Sequence, residues 1–502
     1  MSSTLQHRHV LILGLGDSGL AMARWCIRQG ARVTVLDNRS APPQGPALQA
    51  EMPQVQCLSG DFEARWLDEL SVDAVFKSPG LSPAQVGSLW SEARGRGLWC
   101  GTELSLFIQA LEQLARERAY APQVIAVTGT NGKTTVTSLT GCLLERAGLD
   151  VAVAGNIGPT LLDTLMQRLD AALPQVWVLE LSSFQLDQVE GFNPTAATVL
   201  NLTQDHLDWH GDMTAYARAK ACIWGRQTLR VLRRDDPAVA AWLPTPAPIG
   251  KRTEIQEAPM CVTFGADLPR RPGDYGLESV HGMTWLVRAL PADETLKRKK
   301  GEEEELFMQR LMPADALRIR GRHNALNALA ALALAASTGQ ALAPMLYGLR
   351  EYAGEPHRVE PVAIIREVEY FDDSKGTNVG ATVAAIEGLG AERPVWVILG
   401  GDGKGQDFSP LASPVARCVR GVALIGRDGP LIAQALAETG VGTQACPDLP
   451  AAVRWCHEQA QPGEVVLLSP ACASFDMFRS YGHRAEVFVQ SVHDIAAEEG
   501  VA

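Results

Sequence analysis

Short apolar runs that end in a glycine or polar turn, each followed by helical spacing, recur along the chain. Val10–Leu13 runs into Gly14-Leu15-Gly16-Asp17-Ser18-Gly19, and Leu20 to Gln29 then shows helical spacing that stops at Gly30. Arg32–Leu36 is a second strand ending at Asp37, and Val72–Phe76 a third, followed by Lys77-Ser78-Pro79-Gly80. Such alternation predicts a parallel sheet. A charged helical stretch, Glu103–Arg118, leads to Tyr120-Ala121-Pro122, where a first boundary is expected.

A second series starts at Val124–Val127, which enters Thr128-Gly129-Thr130-Asn131-Gly132-Lys133-Thr134-Thr135 and a helix to about Ala147. Strands at Val151–Ala154, Val176–Leu179 and Ala197–Leu200 follow. From 229 to 312 the pattern is less regular, with Pro244, Pro246, Pro248 and Pro272-Gly273. The opposed charges of Lys297–Glu305 predict a solvated loop or hairpin tip. A helix from Asn324 to Thr338 ends at Gly339, and a second boundary falls near Gly354. A third series has strands at Tyr370–Phe371, Val395–Leu399, Val422–Ile425 and Val465–Leu468, with a helix at Pro430–Thr439. Three α/β domains are expected: 1–120, 121–354 and 355–502.

The length of 502 residues agrees with three domains of roughly 150 residues each. Lys+Arg 45 against Asp+Glu 57 leaves a net charge of −12, which speaks against non-specific nucleic-acid binding. Anionic ligands must therefore be held by local features. No apolar run reaches the ~18–20 residues of a membrane span, and the N-terminus lacks a signal-peptide pattern. A cytoplasmic protein with no membrane or nucleic-acid partner is expected. Ten cysteines without a C-x-x-C pair indicate neither a zinc site nor a disulfide framework.

The strongest local signal is Gly129 to Thr135. Between an apolar strand and a helix, its glycines let backbone N–H groups converge on phosphate, and the helix start adds its positive dipole end. Lys133 can reach the β- and γ-phosphates of ATP, and the Thr134 hydroxyl can ligate Mg²⁺. The loop is shorter than the general G-x-x-x-x-G-K-[ST] pattern, since Val127 stands where that pattern has its first glycine.

This shortened loop resembles the nucleotide loop of the Mur ligase family and of its relative, folylpolyglutamate synthase, which are ATP-dependent amide-bond ligases. The resemblance extends over nearly the whole chain. It implies a Rossmann-like N-terminal domain, a central P-loop ATPase-like parallel-sheet domain and a Rossmann-like C-terminal domain. It implies that Gly129, Thr130, Asn131, Gly132, Lys133, Thr134 and Thr135 bind ATP. Asn324 and Asn327 would meet the adenine, Asp373 the ribose, and Arg358 would reach in from the third domain. Thr134, Glu180, His206 and a CO2-carbamylated Lys220 would hold Mg²⁺. Lys133, His206, Lys220 and Lys375 would be catalytic.

Asp373-Ser374-Lys375-Gly376-Thr377-Asn378 and Ser469-Pro470-Ala471-Cys472-Ala473-Ser474-Phe475 resemble the branch of the family that adds D-glutamate to UDP-N-acetylmuramoyl-L-alanine through an acyl phosphate. Lys375, Thr377, Ser474, Phe475 and Tyr481 would then bind D-glutamate. Gly16, Asp17, Ser18, Asp37, Arg39, Ser78, Pro79, Gly80 and Asn156 would bind the UDP substrate. A monomer acting on small molecules is implied. The stretch around 245–305 is longer than the family needs. Gly14-x-Gly16-x-x-Gly19 with Asp37 also fits a dinucleotide fingerprint, so an NAD-dependent oxidoreductase stands as an alternative. A ligase for another amino acid and a non-catalytic binding protein are two more.

Overall fold

A computed structural model gives the fold, and the structure describes residues 5–243, 260–293, 305–391 and 393–500. Its first sheet has five parallel strands in the order Gln56–Ser59, Arg32–Asp37, His9–Leu13, Ala74–Lys77, Trp99–Gly101. The central sheet has six, all parallel, in the order Cys261–Phe264, Leu229–Arg233, Ala196–Val199, Gln123–Thr128, Val176–Glu180, Val151–Gly155. The inner strands His9–Leu13 and Val176–Glu180 are buried throughout. Helices cover both faces of such sheets, which is why these strands read as unbroken apolar runs.

The third sheet runs Glu360–Ile365, Val368–Asp372, Val465–Leu468, Val395–Gly400, Val419–Ile425, Gly442–Ala445. It is mixed: Glu360–Ile365 pairs antiparallel with Val368–Asp372, and the other pairings are parallel. Arg366 and Glu367, at φ +51° and +62°, form the tight turn of that hairpin. Such turns usually carry Asn-Gly or Asp-Gly, so sequence pattern gave no sign of the edge strand.

The expectation of irregular chain from 229 to 312 is corrected. Leu229–Arg233 and Cys261–Phe264 extend the central sheet. Tyr275–Val280, Met283–Pro291 and Leu306–Pro313 form a three-stranded antiparallel sheet. These strands keep one face wet and interleave arginine, glutamate and glutamine with apolar residues, which hides them among the prolines and charges. Pro291 pairs with Leu306. The charged block expected at a hairpin tip lies, but for Glu305, outside the described residues, as do Pro244, Pro246 and Pro248.

One helix links the central and third domains. Beyond Asn327 the helix Arg322–Ala336 is apolar all round, and Ala328 to Ala335 are at most 3 % exposed. It packs on the helix Lys133–Arg146 on one side and on Val379–Gly390 of the third domain on the other. Burial on all sides is the expected fate of a helix with no polar stripe.

The first and central domains share a core. Phe107, on the helix Glu103–Arg118, meets the buried Trp177 edge-on at 5.1 Å between centroids. Trp177 Nε1 donates to the Tyr120 hydroxyl at 2.9 Å, and Tyr120 donates to the Pro174 carbonyl at 2.6 Å. Glu103, 1 % exposed, adds a polar tie, as its Oε1 accepts the Leu162 N–H at 3.0 Å in the first turn of the helix Leu161–Asp170.

Burial pushes the Glu103 carboxyl up to about 7. A folded value above the unfolded one contributes stability that is full below the unfolded carboxylate range and is lost as pH rises through about 7. Glu103→Gln keeps the acceptor and removes the charge. Its thermal midpoint should exceed that of the unmodified protein at about pH 8 and converge with it toward about pH 5. A difference that does not change with pH would overturn this reading.

Candidate active site

The strand Gln123–Thr128 lies between parallel neighbours, so its carboxyl end opens into a crevice of the kind that binds nucleotides. The loop Gly129–Gly132 leaves it there and the helix starts at Lys133. Gly132 has φ +80°, and a Cβ on it would lie 2.8 Å from Asn327 Oδ1. Only glycine meets both demands. Neighbouring strand ends hold the loop. The Asn131 N–H donates to Asn201 Oδ1 at 2.8 Å, and Asn201 Nδ2 donates to the Asn131 carbonyl at 3.0 Å. Thr130 Oγ1 accepts the Thr203 N–H at 3.0 Å and lies 3.1 Å from the Tyr216 hydroxyl.

Two lysines meet on this loop. Lys133 Nζ donates to the Gly129 and Thr130 carbonyls at 3.0 and 2.8 Å. Lys220, 1 % exposed, donates to the same Gly129 carbonyl at 2.8 Å, lies 3.3 Å from Thr128 Oγ1, and stands 4.7 Å over the Tyr216 ring. Burial lowers the affinity of both amines for protons, and each is lowered further by neighbouring cations: Lys133 by Arg358 and Lys375, Lys220 by Lys133. For Lys220 the shift is large.

Glu180 closes the strand Val176–Glu180, 1 % exposed. Its Oε1 accepts from Asn156 Nδ2 at 2.7 Å, while Oε2 is buried without a partner. The Thr134 hydroxyl accepts from Arg358 Nη2 at 2.5 Å. His206 has φ +53°, packs on Phe184 at 4.6 Å, and its Nε2 is 3.6 Å from Asp205 Oδ2. No ion pair joins His206 to Glu180 among the described residues. His210, which sequence reading passed over, lies 2.9 Å from Ser183 Oγ, and burial brings its imidazole down to about 4. His357, Glu360 and Asp372 form a separate His–carboxylate group, in which His357 Nδ1 lies 2.7 Å from Asp372 Oδ2 and steadies the start of the third domain.

The third domain reaches the loop directly. Besides the Arg358 contact, Asn378 Nδ2 donates to Asn131 Oδ1 at 3.2 Å. Asn324, Asn327, Arg358, Asp373 and Lys375 line one cleft with Asn131 and Gly132. Asn327 Nδ2 donates to Asn324 Oδ1 at 3.0 Å, and Ser469 Oγ donates to Asp373 Oδ2 at 2.6 Å. Burial pushes the Asp373 carboxyl up to about 7. The same cleft includes Arg233, Phe264 and His323. The first two end strands that the charged pattern concealed, and the ends of parallel strands were the signal that could have found them.

Lys375 Nζ sits 3.8 Å over the Tyr481 ring, and the Thr377 N–H donates to the Lys375 carbonyl at 2.8 Å. Ser474 is buried, whereas Phe475 is 70 % exposed. Arg484 is fully buried and donates to the Cys472 and Ser374 carbonyls at 3.1 and 2.9 Å, bracing these two loops together. Burial, helped by the carboxylates of Asp428, Asp476 and Asp402, pushes the Cys472 thiol up to about 12, which disfavours a thiolate nucleophile.

In the first domain Asp37 builds the glycine turn. Its Oδ2 accepts the Leu15 N–H at 2.7 Å, and its carboxylate pairs with Arg39 at 2.6 Å. Ser78 Oγ donates to the Gly14 carbonyl at 2.8 Å. A Cβ on Gly19 would meet that carbonyl oxygen at 2.1 Å, so helix and turn can close only on a glycine. Gly16, Ser18 and Pro79 are half-buried and Asp17 and Gly80 exposed, so this turn presents backbone to solvent at the sheet's carboxyl edge.

Family models match along the chain: a Mur ligase MurD-like N-terminal domain over 8–93, a Mur ligase middle domain over 127–253 and a Mur ligase glutamate ligase domain over 357–472. A UDP-N-acetylmuramoylalanine–D-glutamate ligase of Albidiferax ferrireducens is 63 % identical, covering 100 % of this chain and 99 % of its own. Proteins of the same name from a Polaromonas species and from Burkholderia mallei are 52 % and 55 % identical, each over 99 % of this chain and 99 % and 98 % of their own. Among solved structures, MurF ligase of Thermotoga maritima in complex with ADP matches with a TM-score of 0.56 at 15 % identity, over 99 % of this chain and 97 % of that one. UDP-N-acetylmuramate-alanine ligase MurC of the same organism gives 0.53 at 21 %, over 97 % and 100 %. These two likenesses speak for the fold. The chain belongs to the Mur ligase family.

Proposed function

We infer that this protein joins D-glutamate to UDP-N-acetylmuramoyl-L-alanine with consumption of ATP, a step of peptidoglycan precursor synthesis. The observation that carries the reading is full-length identity of 52–63 % to relatives of that name, in a chain whose phosphate loop lies where the central and third domains meet. A carboxylate is a poor electrophile, and its activation is the purpose of ATP. The alanine carboxylate oxygen attacks the γ-phosphorus, ADP leaves, and an acyl phosphate forms. The D-glutamate amine then attacks the acyl carbon, and the tetrahedral intermediate expels phosphate to leave the amide.

The residue assignments are ours. Backbone N–H groups of Gly129–Thr135 cradle the phosphates, and Lys133 turns from its carbonyls toward the γ-phosphate. Arg358 and Lys375 bring further positive charge, which offsets the repulsion between two acids and a polyphosphate. Asn324 and Asn327 face the adenine and Asp373 the ribose. Lys375, Thr377, Ser474, Phe475 and Tyr481 receive D-glutamate; the exposure of Phe475 means it acts from the rim. Gly16, Asp17, Ser18, Asp37, Arg39, Ser78, Pro79, Gly80 and Asn156 take the UDP-sugar. The donor set fits a magnesium ion: the unpartnered Glu180 oxygen, the Thr134 hydroxyl and His206, with Lys220 as a carbamate, would hold it. Bound there, the ion would neutralise charge developing on the transferred phosphoryl group. Lys220 suits carbamylation because its amine favours the neutral form. Nζ adds to the carbon of CO2, loses a proton and becomes an anion. One chain supplies every group, so we propose a monomer working in the cytoplasm on small molecules alone.

ADP release should require both UDP-N-acetylmuramoyl-L-alanine and D-glutamate. Equal or faster release with another amino acid, or none with this pair, would overturn the assignment. Lys133→Ala should stay folded and lose about 10³-fold or more in turnover. Near-normal turnover would remove the loop from the chemistry. Lys220→Ala should be inactive and regain part of its activity with short carboxylates such as formate or acetate. Full activity without them would exclude the carbamate.

A further inference from the structure

The first domain meets the central domain a second time, through a cation on the sheet face opposite Phe107. Lys77 ends the strand Ala74–Lys77, directly before Ser78, and is 4 % exposed. Its Nζ stands 5.5 Å from the ring centroid of Trp90 in its own domain and 5.3 Å from that of Trp209 in the central domain. Among the described residues no hydrogen bond or close ion pair engages this ammonium. Asp187 of the central domain attracts it from farther off, and Asp187 Oδ2 is itself buried without a partner. Both line a cavity of about 530 Å³ between the domains.

From Trp209 the packing continues to the phosphate loop. Its ring lies 4.9 Å from Phe184 and 4.4 Å from His210, and Phe184 lies 4.6 Å from His206. His210 lies 5.3 Å from Tyr216, whose hydroxyl meets Thr130 at 3.1 Å. Lys77 is thus separated from His206 by two aromatic rings. A buried ammonium without hydrogen bonds has lost hydration that only a specific interaction can offset, and two indole faces with a carboxylate beyond them provide one. Arg39, a cation beside the substrate turn, is already paired with Asp37.

We propose that Lys77 is a positioning residue for the ligase reaction, a latch that grips Trp209 and Asp187 and so fixes the UDP-sugar crevice of the first domain against the His206 segment. The proposal rests on the ligase reading above. Trp209 carries the contact to the catalytic segment, and Lys77 itself touches no reacting atom.

The test measures steady-state ADP release and calorimetric binding of UDP-N-acetylmuramoyl-L-alanine for the unmodified enzyme, Lys77→Met and Lys77→Arg. Lys77→Met should raise KM for the UDP-sugar and lower kcat by about tenfold each, with KM for ATP held within about twofold. Lys77→Arg should recover most of both, since a guanidinium also stacks on indole. In a Trp209→Leu background Lys77→Met should add little, the mark of a shared contact. Constants for Lys77→Met within about twofold of the unmodified enzyme, or a KM for ATP rising in step, would overturn the latch. If Lys77→Met does not fold, Trp209→Phe and Trp209→Leu read the same contact from the other side. Phe should keep the UDP-sugar KM and Leu should raise it, and equal values would overturn the proposal. An unmodified enzyme that makes no ADP with this pair fails the ligase reading, whereas an active one with a silent Lys77→Met fails the latch alone.

Discussion

The Gly129 carbonyl accepts from two lysines at once, Lys133 at 3.0 Å and Lys220 at 2.8 Å. Two ammonium ions on one oxygen in a dry pocket repel each other by more than a single dipole can return. Burial and this repulsion push both amines toward the neutral form, and Lys220, the more deeply enclosed, is pushed further. This constraint explains much of the surroundings. Glu180 keeps one carboxylate oxygen buried and unpartnered beside the loop, and Asn156 orients the other. The loop is strung between Asn201, Thr203 and Tyr216, so its carbonyls stay fixed under the cations. A polyanion brought here meets charge that is already assembled, and little reorganisation is left to the reaction itself.

The same logic separates the two domain joints. The first and central domains are welded by Phe107 on Trp177, by Glu103 on a helix start and by Arg24 with Asp163. The third domain touches the loop mainly through polar contacts from Arg358 and Asn378, and its helix Val379–Gly390 packs on the alanine-rich helix Arg322–Ala336. A joint built from a few hydrogen bonds opens more readily than one built from a shared core. Fewer apolar contacts thus hold the third domain to the loop than hold the first domain to the central one.

The sequence showed the parts whose chemistry is local. The loop from Gly129 to Thr135, the strands on either side of it and the segment around His206 are short patterns in which backbone geometry dictates residue type. Arg233 and Phe264 were hidden because their place at the cleft beside Asn131 follows from the order of strands in a sheet, and His323 because it opens a helix whose other neighbours are apolar. The antiparallel edge strand Glu360–Ile365 was hidden for a related reason, since Arg366-Glu367 makes its turn without a glycine. Arg484, donating to the Cys472 and Ser374 carbonyls, is an internal brace between two loops. A guanidinium buried on carbonyls and one facing a carboxylate ligand look alike until the fold is known.

A substrate made of a large nucleotide-sugar and a small amino acid suits this division. In the welded pair the Asp37-organised turn and the loop at Lys133 keep a fixed separation. A small amino acid asks for less buried surface, which suits a domain joined by polar contacts. A rigid pair keeps the carboxylate and the γ-phosphoryl group in line, which is where orientation contributes most to rate. An acyl phosphate, once formed, then needs an amine brought to it and the water shut out that would otherwise hydrolyse it.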